Sequence, residues 1–235
     1  MQELHLSLNS KLHTSNLNYK VQKIVDINNK VVAGELLVDF SRAESNLELQ
    51  TYLNAINLGI ITQFSLDFAF NNITNATNLN KFSTLFFNLE RNNLCDVRIL
   101  SQILELNLVC SLNGLELVVE ITERDKCGKC CNVIKGLTFL KERGIKLALD
   151  DYDYVFGDFR YNELKLGYYD YVKVDMSKNK LELDLLRNFA FENNKYFKKG
   201  IIVERIETLD ELYKNLPHQY IYGYQGFFFC KGTPI

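Results

Sequence analysis

The chain has 235 residues, 47% hydrophobic and 24% charged with only two prolines, a composition that excludes a disordered or low-complexity polymer and provides for a sizeable core. Net charge is −2 and the basic residues are scattered, so there is no footprint for duplex nucleic acid, and any anionic phosphate ligand would need cations to balance it. No basic-then-apolar leader and no bilayer-length apolar run is present, so a cytoplasmic protein with no membrane segment and with reduced thiols is expected.

In chain order, Leu17–Ile27 and Val31–Val38 flank Asn28 and Asn29 and read as a β-hairpin, because asparagine tolerates the positive φ of a short turn. Apolar residues recur at helical spacing from Tyr52 through Ile60 to Phe68, and the polar stretch Asn71–Asn80 reads as a loop. Short β-rich runs then follow at Phe82–Leu89, Leu115–Ile121, Ile145–Leu149, Tyr171–Val174, Gly200–Val203 and Tyr220–Tyr224. Between them lie amphipathic segments at Val97–Ser111, Cys130–Arg143, Leu181–Phe197 and Thr208–Asn215, with a weaker one near Asn162–Leu166. This alternation predicts parallel strands joined by crossover helices, and with the hairpin it gives an α/β fold: one (β/α)8 TIM-like barrel with an antiparallel first strand. A doubly wound open sheet competes, but the glycine-rich phosphate turn that such a sheet usually carries is missing. The sequence stops directly after the last strand, so the closing helix is expected to be absent from an otherwise single-domain chain.

Polar residues fall at the ends of these strands: Glu35, Asn88, Glu120, Asp150 with Asp151, Lys173, Glu204 and Gln225. In a parallel barrel such positions converge on one mouth. Each alone could cap a helix or meet solvent, but five carboxylates at one mouth repel one another unless cations lie between them. Hard oxygen ligands suit magnesium, manganese or calcium, and two such ions can clamp a phosphodiester for in-line attack. Lys173, flanked by apolar residues, is expected to be buried beside them, where it could orient a water or balance charge. Cys127, Cys130 and Cys131 cluster in CGKCC, but a structural zinc site wants four ligands and no histidine lies nearby, so they read as thiols at a helix start.

These motifs, in their order, resemble the EAL family of cyclic-di-GMP phosphodiesterases over about residues 20–234. Gly34-Glu35-Leu36-Leu37 is similar to the Glu-Ala-Leu strand, Asn88-Leu89-Glu90 to Asn-Leu-Ser, and Glu120-Ile121-Thr122-Glu123 to Glu-Ile-Thr-Glu. Asp150-Asp151 stands for the paired aspartates, Lys173-Val174-Asp175 for Lys-Ile-Asp, Glu204-Arg205-Ile206-Glu207 for Glu-Gly-Val-Glu, and Gln225-Gly226 for the Gln-Gly turn. The resemblance implies that Glu35, Asn88, Glu120 and Asp150 hold one metal ion, with Asp150 bridging to a second held by Asp151 and Glu204. It further implies that Lys173 and Glu204 assist the attacking water, that Gln225 reaches the site through water, and that Glu123 braces the loop after the fifth strand. The implied reaction opens cyclic di-GMP to linear pGpG with Mg or Mn, Ca being inhibitory, and a homodimer is implied as the assembly.

The sequence departs from the family pattern at four places. Leu36 replaces the signature alanine at a substrate-contacting position, and Val38-Asp39-Phe40 stands where an arginine contacting substrate phosphate is expected. The loop from Tyr152 to Gly157 lacks the usual Phe-Gly-Thr-Gly and is about two residues longer. Arg205 replaces a glycine, and can supply the missing phosphate contact, fill the pocket, or simply face solvent. The leading expectation is an active phosphodiesterase. The alternatives are a non-catalytic relative that binds cyclic di-GMP or a regulatory protein, and an unrelated barrel acting on another phosphodiester.

Overall fold

The computed structural model describes residues 17–39, 60–74, 78–123, 130–213 and 218–235. The first strands, β1 (Tyr19–Val25) and β2 (Val31–Val38), form the expected hairpin, with Val21 opposite Leu36 and Gln22 opposite Glu35. Its turn is closed by the Asp26 carboxylate, which accepts from the amides of Asn28 (2.9 Å) and Lys30 (2.8 Å), while Asn29 takes φ 61°.

Six further barrel strands follow: β3 (Thr84–Leu89), β4 (Glu116–Ile121), β5 (Lys146–Leu149), β6 (Tyr171–Asp175), β7 (Gly200–Glu204) and β8 (Ile221–Tyr224). Neighbours from β2 to β8 pair in parallel, and β1 pairs antiparallel with both β2 and β8, so the eight-stranded sheet closes on itself. A two-residue β9 (Thr233–Pro234) then pairs with β1 beyond the ring, an element the residue pattern was too short to reveal.

The described helices are α1 (Ile60–Thr74), α2 (Val97–Leu112), α3 (Cys131–Glu142), α4 (Tyr161–Lys165), α5 (Lys180–Asn193) and α6 (Leu209–Tyr213). Their apolar faces and the outward faces of the strands share one large core. The part of the first predicted helix before Ile60 lies outside the described residues, as do Phe40, Cys127 and the end of the Thr208–Asn215 segment. The predicted Asn71–Asn80 loop needs correction, because α1 runs on to Thr74. Its last turn is kept by Ile73, which is fully buried, and by Asn72 and Thr74 side chains donating to the carbonyls of Phe68 (2.9 Å) and Phe70 (2.8 Å). Polar composition marked a loop there, but local hydrogen bonding and burial decided for helix. No described helix is long and apolar enough to cross a membrane.

A second, smaller apolar cluster fills the barrel itself: Ile24, Ala33, Phe86, Val118, Ala148, Tyr171 and Ile202. Strand side chains repeat with period two, so the residue two positions onward points the same way, one layer higher. On the parallel strands those onward residues are Glu35, Asn88, Glu120, Asp150, Lys173 and Glu204, and on antiparallel β1 the step runs backward from Ile24 to Gln22. The barrel plug is thus the floor on which the polar mouth rests.

Candidate functional site

Lys173 stands at the centre of that polar layer. Only 1% exposed, its Nζ lies 2.9 Å from Glu204, 3.2 Å from Glu35 and 3.4 Å from Asp150, and it donates a short hydrogen bond to Glu120. Burial works against its charge, but Glu120, Glu204, Glu35 and Asp150 outweigh it and hold the ammonium well above the usual lysine range. The second strand's Glu35 is gripped on both oxygens, accepting from Asn88 (3.0 Å) on one and from Lys173 and Gln225 on the other. Gln225 thus contacts Glu35 directly. The same amide donates to Gln22 on β1 at 3.0 Å.

Gln225, directly after β8, is held there by the end of β7 and the chain that follows it. Its backbone carbonyl accepts from the amide of Ile206 (3.1 Å), and at Gly226 a Cβ would fall 2.1 Å from the Ile206 carbonyl oxygen. Only glycine permits this close approach of two backbones, which places Gln225 over the mouth.

The remaining carboxylates complete the rim. Carboxylate oxygens of Asp151, Asp175 and Glu204 lie within 4.8 Å of one another, as do those of Glu123, Asp150 and Asp151. Burial and the neighbouring Glu35 push the Glu120 carboxyl well above its ordinary range despite Lys173. Glu204 is pushed up to about 8 by burial, then by Asp150 and Glu35 against the opposing pull of Lys173. Asp151 is raised to about 6 by desolvation and the charges of Asp150 and Glu123. At Asp150 burial is outweighed by Lys173, which holds the carboxyl low. One lysine does not offset this many acids.

The donor set fits divalent cations. Oε2 of Glu120, a fully buried residue, has no hydrogen-bond partner, and the available donors are carboxylate and amide oxygens, the ligands that Mg and Mn prefer. Glu35, Asn88, Glu120, Asp150, Asp151 and Glu204 are the residues that would hold them. A cavity of about 510 Å³ opens above these groups, and its walls include Leu37, Ser65, Phe87, Glu207 and Phe227.

The residues singled out for other roles fall in different places. Leu36 lines the cavity but is 4% exposed and packed in the outer core. Glu123 stands beside Asp150 and Asp151 as a third carboxylate of that group. Asp39, in the segment without an arginine, faces Lys20 at 3.6 Å, so its charge is offset and it does not line the cavity. Arg205 takes φ 56°, pairs with Asp175 at 2.9 Å and lines the cavity with a side chain 67% exposed. Cys130 occupies the position before α3 without a side-chain capping bond, and Cys131 is exposed in the first turn.

Three nearby residues went unassigned from the sequence. Gln22 was findable, since hairpin register places it opposite Glu35, and Asp175 lies two positions after Lys173 on the same strand face. Arg160 offered no signal. It is fully buried behind the site, and only the folded loop shows what it touches.

Comparison with known proteins places these features in a family. The EAL domain model matches residues 5–231. Similar solved structures include an EAL-domain protein from Listeria monocytogenes EGD-e, with 20% identity and a TM-score of 0.68, covering 100% of this chain and 93% of that one. The Klebsiella pneumoniae BlrP1 calcium and cy-diGMP complex gives 20% identity and a TM-score of 0.72, over 94% of this chain and 57% of that one. The EAL enzyme Bd1971, bound to cAMP and cyclic-di-GMP, gives 18% identity and a TM-score of 0.71, over 99% of this chain and 66% of that one. No curated protein matches the sequence.

Proposed function

We propose, given that the chain belongs to the EAL-domain family, that it is a divalent-cation-dependent phosphodiesterase opening cyclic di-GMP to linear pGpG. The observation that carries this reading is the convergence of Glu35, Asn88, Glu120, Asp150 and Glu204 on one layer around Lys173, with Asp151 at its rim. When bound there, Mg or Mn supplies Lewis acidity to water and to the phosphoryl oxygens. The chain's own groups supply the rest.

Glu204, 2.9 Å from Lys173, would share the general-base role on the attacking water. Lys173 keeps its charge and balances the carboxylates or the transition-state oxygens. Gln225 and Asn88 orient Glu35 from two sides. Arg205, paired through Nε with Asp175 at the cavity edge, would meet a substrate phosphate in the absence of an arginine at positions 38 and 39.

A second reading, binding of the dinucleotide without hydrolysis, draws on the altered loop after the paired aspartates, in which Asp151, one of the residues that would hold a cation, is kept at φ 43°. Incubation of purified protein and cyclic di-GMP with Mg or Mn, followed by chromatography of the products, separates the two. The expected result is pGpG formation that Glu35→Ala reduces below detection and that Ca does not support. Intact dinucleotide that is nonetheless retained by the protein in both cations would replace hydrolysis with the binding reading.

A further inference from the structure

The paired aspartates sit on a single awkward residue. The amide of Asp150 donates to the carbonyl of Ile121 on β4 (3.2 Å), and the amide of Tyr152 donates to the carbonyl of Lys173 on β6 (2.9 Å). The chain must cross from one strand to the other through Asp151 alone, and does so in the left-handed region at φ 43°. For a residue with a Cβ that conformation costs on the order of 1 kcal/mol and persists only where its surroundings hold it. The tight glycine path expected after the aspartates is missing.

The surroundings that hold it are supplied by Arg160. This side chain is fully buried behind the loop, and its Nη1 donates to the Ile121 carbonyl (3.3 Å) while its Nη2 donates to the Asp151 carbonyl (3.4 Å). Its orientation is set by Asp158, whose carboxylate takes Nε at 2.9 Å and Nη2 at 2.6 Å and also accepts from the Arg160 amide at 2.7 Å. A planar fork with five donors can serve a carboxylate and two carbonyls at once, which a lysine cannot.

We propose that Arg160 is a positioning residue for the paired aspartates: by bridging the carbonyls of Ile121 and Asp151 it fixes the Asp150 and Asp151 carboxylates in the geometry that receives divalent cations. The inference rests on the cation-dependent reading above. It assigns to a buried arginine, locked by Asp158, the support that the loop's lost glycines would otherwise give.

A second buried pair in the same region separates positioning from mere stability. Arg91 is equally buried and forks onto Glu163, which also accepts from Tyr169 at 2.8 Å, yet none of these bonds reaches the aspartates. Calorimetric titration of the full chain with Mn²⁺ alone is the test, on protein whose far-UV circular dichroism and cooperative melt are intact. Arg160→Lys is expected to weaken Mn²⁺ binding 10- to 100-fold, the usual effect of losing a group that orients ligands. The paired change Arg160→Met with Asp158→Leu, which leaves no lone buried charge, is expected to do the same, and Arg91→Lys to lower the melting temperature with Mn²⁺ affinity unchanged. Unchanged affinity in both Arg160 variants, or equal weakening in Arg91→Lys, would overturn the inference alone. Failure of the unsubstituted chain to bind Mn²⁺ would overturn the cation-dependent reading and this inference with it.

Discussion

Glu204 and Asp151 carry the clearest consequence of crowding acids around one lysine. Both carboxyls are held above their ordinary values in the folded chain, to about 8 and about 6. Over the pH range between the unfolded value and the folded one, the unfolded chain has lost these protons and the native chain keeps them. Their contribution therefore favours unfolding increasingly as pH rises from about 4.5 to about 8. The melting temperature of the chelated protein is expected to fall between pH 5.5 and 8.5, and Mg²⁺ to raise it more at 8.5 than at 5.5, because a bound cation needs the ionised carboxylates. A chelated melting temperature that climbed across this interval would refute the charge excess. The residues behind this effect were legible in the sequence as acids at strand ends. Asp175 shares the strand face of Lys173, but its grouping with Asp151, in the loop after β5, and Glu204, on β7, shows only in the fold.

Elements hold these residues in place through their ends as well as their faces. Helix α2 begins at Asp96, whose side chain accepts from the amide of Arg98 at 2.9 Å, satisfying a donor that the first turn leaves free. Asp96→Ala is expected to cost about 1 kcal/mol, which for a chain of this size lowers the melting temperature by about 2–4 °C, and to leave the site's cation affinity as it was. A thermal melt of the variant beside the parent tests it; no change would mean that the cap is redundant with the flanking packing. Most elements were readable from periodicity, since β3 and β4 are buried on both faces and α2 on one. The end of α1 was not, because its last turn depends on the burial of Ile73 in the core and on Asn72 and Thr74 side chains bonding back to carbonyls one turn earlier. The loop after Asp151 escaped for the same reason: its brace, Arg160, is nine residues away and means nothing until the chain folds back.

Across the whole molecule, Lys173 acts as a strut inside the ring. From β6 it touches Glu35 on β2, Glu120 on β4, Glu204 on β7 and Asp150 beyond β5, so one side chain ties together strands on several sides of the barrel. Lys173→Met leaves those buried carboxylates uncompensated and is expected to destabilise the chelated protein by on the order of 3 kcal/mol, with Mg²⁺ recovering part of the loss by taking the ammonium's place. Denaturant unfolding with and without the cation measures both effects. A variant as stable as the parent without metal would show that the acids accept protons at no cost. The sequence by itself determined the barrel class, the antiparallel opening hairpin and the acids at the strand ends, because period-two and period-3.6 burial and strand-to-helix alternation are written locally along the chain. Only the tertiary structure decided that Gln225 grips Glu35 directly, that Arg205 turns to Asp175, and that Arg160 supports Asp151. These contacts join residues far apart in the chain, and their distances are set by barrel closure and loop path, which no local pattern encodes.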